Sequence, residues 1–338
     1  MKRFLYLSLT LGLFCVTSCN PADKLERFNL AGEAQGTYFA ITYYDAAKRD
    51  FRLQVDSILK AVDESVSLWV EKSLISRINN GDSGVIVDRI FRDNFNKSLQ
   101  VSLLTDGYFD FTIGPLAQAW GFHRKNKLEL NDRQIDSLRN LVDFRKVHLR
   151  GDTVSMDMPN MRFDFNAIAQ GYTTDLIAAF FDRQGIKSYL IDVGGEIFAR
   201  NTKPKGERWR VGIEKPSENA DDKRVIQEII ELENKALATS GSYRKYFEMN
   251  GKRYSHAINP KTGRPVDHNL LSVTVMADDA MTADAFATAF LVMGLEKAEN
   301  VIKTVPGLEA YFIYWTPDHR YGTFATEGLK KCIAAESL

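Results

Sequence analysis

Two oxygen-bearing side chains stand four residues apart in DAMTADAFATAF, residues 279–290. On a helix, Asp284 and Thr288 share one face, so a carboxylate and a hydroxyl point at the same spot. Their neighbours are Ala, Phe and Met, among which a carboxylate is costly to bury unless something pairs with it. A face turned to solvent would equally account for a lone acid. Both groups are hard oxygen donors, suited to Mg2+ or Ca2+ rather than zinc. Two side chains do not complete an octahedron, but Mg2+ commonly takes one or two protein carboxylates together with waters and substrate phosphates. The pair therefore reads as half of a metal site whose other half is a phosphate-bearing ligand.

Four further segments are richer in Gly, Asp, Thr and His than packing requires. DGYFDFTIGPLAQAWGF (106–122) combines glycines, which let backbone approach a ligand, with the flat faces of Tyr108, Phe109 and Trp120. A turn-rich loop over a core would have the same composition. In DFNAIAQGYTTD (164–175), Asp164 and Asn166 precede a helix whose first turn is small, a natural seat for phosphate because its free N–H groups point outward. A plain Asp or Asn N-cap is the alternative. The spacing is neither that of a Walker loop nor that of a dinucleotide fingerprint. IDVGGEIFA (191–199) empties an apolar strand into Gly194, Gly195 and Glu196, either a ligand-facing strand end or a tight turn. Residues 238–265 hold Thr239, Ser240, Ser242 and Tyr243, then His256 shortly before Asn259–Pro260. No Ser–His–Asp spacing accompanies that histidine, which suits a structural role as well as a catalytic one.

The elements that must position these residues alternate along the chain. Residues 27–44 read as extended chain broken at Gly32 and Gly36. Apolar residues at 51, 55, 58, 59, 62 and 66 form one helix face, and 87, 91, 95, 99 and 103 a second, stopped by Asp106–Gly107. Residues 146–158 read as a hairpin turning at Gly151–Asp152, and 166–184 as a helix ended by Gly185. SYLIDV is a buried strand. RWRVGI, RVIQEIIEL, YRKYFEM and RYSHAIN are further strands, the last two joined by Asn250–Gly251. LLSVTVMA, two helices and EAYFIYW follow. With no long Pro/Gly/Ser linker, this predicts one α+β unit, of one lobe or two, with mixed or antiparallel sheets flanked by helices.

The 338 residues are 44% hydrophobic, and Lys plus Arg equals Asp plus Glu at 44 each. That balance, with no Arg/Lys run, no zinc-ligand cluster and no heptad repeat, argues against nucleic-acid binding. MKRFLYLSLTLGLFCVTSCN has a charged start, a short apolar run and small residues ending in Cys19, the pattern of a lipoprotein signal. The expected organisation is a signal peptide at 1–18, a tether at 19–27 from a lipidated Cys19, and a folded domain at 28–338, facing the periplasm from a cell membrane. A plain secretory signal is the alternative. Only Cys332 would remain unmodified, so no intramolecular disulfide is expected.

Taken in order, QGTYF (35–39), SLWVEKSLISRIN (67–79), DGYFDFTIGPLAQAWGF, DFNAIAQGYTTD, GGE, ATSGSYRKYF, HAINPKTGRPV and SVTVMADDAMTADAFATAF resemble the ApbE family. The resemblance runs from about Gly36 to the last strands. It implies a T-fold-like catalytic unit that uses Mg2+ to cleave FAD and join FMN, through a phosphoester, to a Thr or Ser of a target protein, releasing AMP. The implied target is a periplasmic or membrane redox protein. By position, Gln35, Trp69, Tyr108, Phe109, Asp110, Asp164, Gln170, Ser240 and Ile258 match places that hold FAD. The Ala167 carbonyl, Asp284 and Thr288 match metal ligands, and His256 matches a histidine acting as base on the acceptor hydroxyl. Two features depart from the family pattern: Gln170 stands where Lys or another charged residue is common, and DFNAIAQG lacks the usual Gly pair before Ile-Ala. An FAD pyrophosphatase, with water replacing the hydroxyl, and a flavin-binding lipoprotein without turnover are the competing readings.

Overall fold

The structure, a computed structural model, describes residues 25–121, 130–216, 225–242, 246–249, 252–255 and 257–335, with backbone alone for 246–249 and 252–255. It opens on a hairpin of β1 (Glu26–Ala34) and β2 (Thr37–Asp45), followed by α1 (Arg52–Val66), α2 (Leu74–Asn79) and α3 (Arg89–Leu104). Helices α4 (Gly114–Ala119) and α5 (Asp132–Arg139) lead to the small hairpin β3 (Val147–Arg150) and β4 (Thr153–Met156), then to α6 (Ala169–Arg183). Strands β5 (Ser188–Val193), β6 (Glu196–Arg200), β7 (Trp209–Glu214), β8 (Ile226–Leu232) and β9 (Lys235–Gly241) come next. Two short hairpins follow, β10 (Tyr246–Met249) with β11 (Lys252–Ser255) and β12 (Ile258–Asn259) with β13 (Arg264–Pro265). The chain closes with β14 (Leu270–Ala277), α7 (Ala280–Met293), α8 (Leu295–Ile302), β15 (Glu309–Trp315), β16 (Tyr321–Ala325) and α9 (Glu327–Lys330).

Eight strands form one sheet in the order β1-β2-β5-β6-β9-β14-β15-β16. Every neighbouring pair in it is antiparallel, which bears out the expected α+β class. The two-residue period of a strand divides its side chains between two cores. Phe198, Ala236, Ala238, Val273, Val275, Ala310 and Phe312 face α1, α3, α6 and α7 in the larger core. Their neighbours Ile197, Ala199, Leu237, Met276, Tyr311 and Ile313 face the β7–β8 hairpin, where Trp209, Ile213, Ile230 and Leu232 cover them. The result is a helical layer, a sheet and a covering hairpin.

The pattern-based expectations hold in outline and shift locally. Gly32 does not break β1 but pairs with Phe39, and a Cβ there would lie 2.8 Å from that ring. The chain reverses at Gln35 and Gly36, both in left-handed backbone (φ 53° and 73°), as a two-residue hairpin turn requires. The helix expected from residue 166 starts instead at Ala169, because Phe165 is drawn into the core and residues 166–168 turn before the helix begins. On α3 the buried face drifts to Phe91, Asn94, Phe95, Ser98, Val101 and Ser102, leaving Leu103 63% exposed. The period of 3.6 residues, not a strict four, sets that face.

Candidate active site

An aromatic stack brings the two glycine-rich segments together. Phe111 lies parallel to Phe163 and Phe165 at 5.7 and 5.9 Å between ring centres, while Phe91 and Phe95 meet the stack edge-on. These rings are almost wholly buried. Strand-like alternation then turns Asp164 and Asn166 away from the stack, and Asp164 N–H donates to the Phe111 carbonyl at 2.8 Å. The residues between the phenylalanines thus face a cavity of about 640 Å3, large enough for a dinucleotide-sized ligand to enter in part.

That cavity is lined by Gln35, Trp69, Tyr108, Phe109, Asp110, Asp164, Ala167, Gln170, Ser240, Ile258 and Thr288, so the structure gathers eleven of the sequence-predicted positions from seven separate stretches of chain; Asp284 is not in the lining itself but one helical turn before Thr288. Trp69 is 65% exposed at the rim, and Tyr108 is flanked by the Lys261 ammonium, 4.5 Å from its ring centre. Gln35 donates its amide to Thr173 Oγ1 at 2.8 Å, and Thr173 passes a bond to the Ala169 carbonyl. The Gln35 Oε1 atom is buried and has no hydrogen-bond partner among the described residues. Gln170 lies against the Gly194 turn, where a Cβ would meet its Nε2 at 3.0 Å. Ser240 on β9 and Thr288 on α7 share a hydrogen bond of 3.1 Å.

Asp284 sits one turn before Thr288 and is 6% exposed. Its Oδ2 accepts the Gly171 N–H at 3.1 Å, and no Lys or Arg pairs with it among the described residues. Burial pushes its carboxyl up to about 7; the Gly171 bond opposes the shift, and the charge of Asp175 adds to it. Asp110 is similarly buried and pushed up to about 6, yet its oxygens accept three bonds, from Thr112 N–H, Thr112 Oγ1 and Phe144 N–H. Its carboxylate therefore knits the 110–112 turn to residue 144 while forming part of the cavity wall.

His256 and the lipidation candidate Cys19 lie outside the described residues. Ala257, the residue after His256, lines the cavity. Sequence reading missed Asp63, which lines the cavity from α1 and whose carboxyl burial raises, and Thr173, which holds Gln35. An acid between Val62 and Val66 on an otherwise buried helix face was the available signal for Asp63. No group of three or more His, Cys, Asp and Glu side chains among the described residues forms a metal cluster.

A model of the ApbE family matches residues 35–312. The chain belongs to the ApbE family. It is 36% identical over 298 residues to the FAD:protein FMN transferase of Vibrio cholerae, which covers 86% of this chain and 87% of that protein. The FAD:protein FMN transferase of Escherichia coli (strain K12) is 34% identical over 318 residues, covering 91% and 89%. Among solved structures, the flavin transferase ApbE from Vibrio cholerae aligns with a TM-score of 0.82 at 32% identity, over 91% of this chain and 99% of that one. The apo flavinyl transferase ApbE of Pseudomonas stutzeri gives the same TM-score at 29% identity, over 93% and 98%. The family model spans the cavity residues and α7, and the structural alignments cover at least nine-tenths of this chain.

Proposed function

We propose that this chain is an FAD:protein FMN transferase, which cleaves the FAD diphosphate in the presence of Mg2+, esterifies FMN to a Thr or Ser hydroxyl of a partner protein and releases AMP. The observation that carries this reading is the buried carboxylate of Asp284 one helical turn before Thr288, which lines a cavity shared with Trp69, Tyr108 and Phe109. It keeps one oxygen beyond its bond to Gly171, and no basic side chain neutralises it among the described residues. A buried carboxylate in that state calls for a cation. The available donors, a carboxylate, the Thr288 hydroxyl and the Ala167 carbonyl, are all oxygen, which fits Mg2+ completed by phosphate oxygens.

In this reading the ion, when bound, supplies Lewis acidity at the diphosphate. The chain's own residues bind and orient. Trp69 and Tyr108 offer flat faces at the rim, Gln35 keeps an acceptor oxygen for a ligand N–H, and the small Ala167 in the turn before α6 leaves room for the ligand beside its carbonyl. Phosphoryl transfer is governed by positioning and charge neutralisation, so no amino-acid nucleophile is needed. His256 is assigned as the base that takes the proton from the acceptor hydroxyl. The lipoprotein-signal pattern that ends at Cys19 underlies a further part of the reading, a membrane lipoprotein anchored there with its domain in the periplasm, which palmitate labelling of wild type and Cys19→Ala would test. The acceptor is a periplasmic or membrane redox protein.

The transfer reading is tested by incubating the protein with FAD, Mg2+ and an acceptor domain carrying a candidate Thr, then weighing the acceptor by mass spectrometry. A gain equal to FMN, with AMP released in equal amount, is expected. Free FMN and AMP with no gain by the acceptor would favour a pyrophosphatase. Intact FAD, under conditions in which a known transferase works, would contradict both.

A further inference from the structure

Asp175 ends the segment DFNAIAQGYTTD and lies one turn beyond Gly171 on α6. Its two carboxylate oxygens accept the Ala280 and Met281 N–H groups at 2.8 and 2.9 Å. These are the first two residues of α7, whose N–H groups have no partner within their own helix. The third, Thr282 N–H, donates to the helix's own N-cap, Asp279. So α7 takes only part of its cap from its own sequence, and the remainder comes from α6.

The reverse also holds. Helix α6 has no side-chain cap from its own N-cap residue, Ile168. The N–H of Gly171, in its first turn, donates instead to Asp284 of α7 at 3.1 Å. Each helix thus caps the other with a carboxylate from its second turn. Between the two bonds the backbones touch: a Cβ on Gly171 would lie 2.4 Å from the Ala280 carbonyl oxygen and 2.8 Å from Met281 Cα. Lys97 of α3 secures the same corner through Thr282 Oγ1 at 2.9 Å.

We propose that Asp175 is a positioning residue for the Mg2+ site, acting with Asp284 as a reciprocal pair of caps that fixes α7 against α6. This rests on Asp284, Thr288 and the Ala167 carbonyl being the ligands. Ala167 lies two residues before α6, next to its N-cap Ile168, and the other two ride on α7, so the spacing of the three oxygens is set by how the two helices are docked. The Gly171 contact sets how closely they approach. The Asp175 bonds set where α7 begins along α6, and a rigid ion such as Mg2+ tolerates little error in that placement. Asp175 also marks why the segment ends in an acid three residues after Tyr172, a feature that FAD binding does not explain.

The test is calorimetric Mg2+ binding to the full chain saturated with FAD, without acceptor, for wild type, Asp175→Ala and Asp175→Asn. FAD affinity and melting temperature are recorded in EDTA. Loss of an outer support of a metal ligand weakens metal binding by about 10- to 100-fold, and that is the expectation for Asp175→Ala, with FAD affinity in EDTA unchanged. Asp175→Asn keeps one acceptor oxygen and should fall between wild type and Ala. Wild-type Mg2+ affinity in Asp175→Ala would overturn the proposal. Equal weakening by Ala and Asn would assign the effect to lost charge rather than to capping, and would overturn it too. Should Asp175→Ala fail to melt cooperatively, Asp175→Leu, similar in shape but without an acceptor, takes its place: Mg2+ binding weaker than in Asp175→Asn supports the caps, and binding equal to Asp175→Asn or to wild type overturns them. Absence of Mg2+ binding by FAD-loaded wild type would instead remove the ligand assignment on which the caps depend.

Discussion

Asp110, in the cavity wall, and Asp284, one helical turn before the cavity residue Thr288, are both buried acids, and burial raises both carboxyls, to about 6 and about 7. Their surroundings differ. Asp110 accepts three hydrogen bonds from Thr112 and Phe144, whereas the described protein donors give Asp284 the single N–H of Gly171. A satisfied buried acid is part of the scaffold, and an undersatisfied one is an invitation to a cation. Burial and a raised pKa are common to both, so neither identifies the functional acid. The count of donors does.

Substitutions at the two positions should therefore fail in different ways. Asp284→Ala removes the carboxylate ligand and with it Lewis acidity worth several kcal/mol, so FMN transfer should fall about 100- to 1000-fold while the melting temperature in EDTA drops only by what orphaning the single Gly171 N–H costs. An unchanged rate would erase the distinction. Asp110→Ala should do the opposite. It orphans the buried Thr112 and Phe144 N–H groups at about 1–3 kcal/mol each, lowering the melting temperature while the folded fraction keeps its Mg2+ affinity.

The pH dependence sharpens the comparison. A raised carboxyl pKa means that the folded, metal-free chain favours the protonated acid. Its contribution to stability is fully present below the unfolded value near 4 and is lost as pH rises through about 7 for Asp284. Mg2+ competes with that proton, so Mg2+ affinity should strengthen as pH rises through the same range. Melting curves at several pH values should show Mg2+ with FAD stabilising more at pH 8 than at pH 5. The smallest effect is expected for Ser240→Ala. It removes one neutral hydrogen bond to Thr288, worth about 0.5–1.5 kcal/mol, and calorimetry should find Mg2+ binding weakened only a fewfold.

Much of this was legible in the chain itself. The i, i+4 spacing of Asp284 and Thr288 marks a shared helix face whatever the tertiary fold, and the alternation in LLSVTVMA marks a strand. β9 was not legible as a strand, because KALATSG is small and polar and owes its buried place to pairing with β6 and β14. The late start of α6 was hidden for a similar reason: Phe163 and Phe165 are held by rings from distant segments. Asp175 was visible as the last residue of a motif but not as a cap, since the N–H groups it accepts belong to a helix about a hundred residues later. Local pattern shows which residues share a face. It does not show which groups elsewhere satisfy them, and that difference separates Asp110 from Asp284.

The most direct test is the Mg2+ affinity of the wild-type chain measured with and without FAD. Two side-chain oxygens and a carbonyl leave the shell incomplete, so the ion should bind only weakly to the protein alone and at least about tenfold more tightly when a diphosphate supplies further oxygens. Equal affinity in the two titrations would contradict the account.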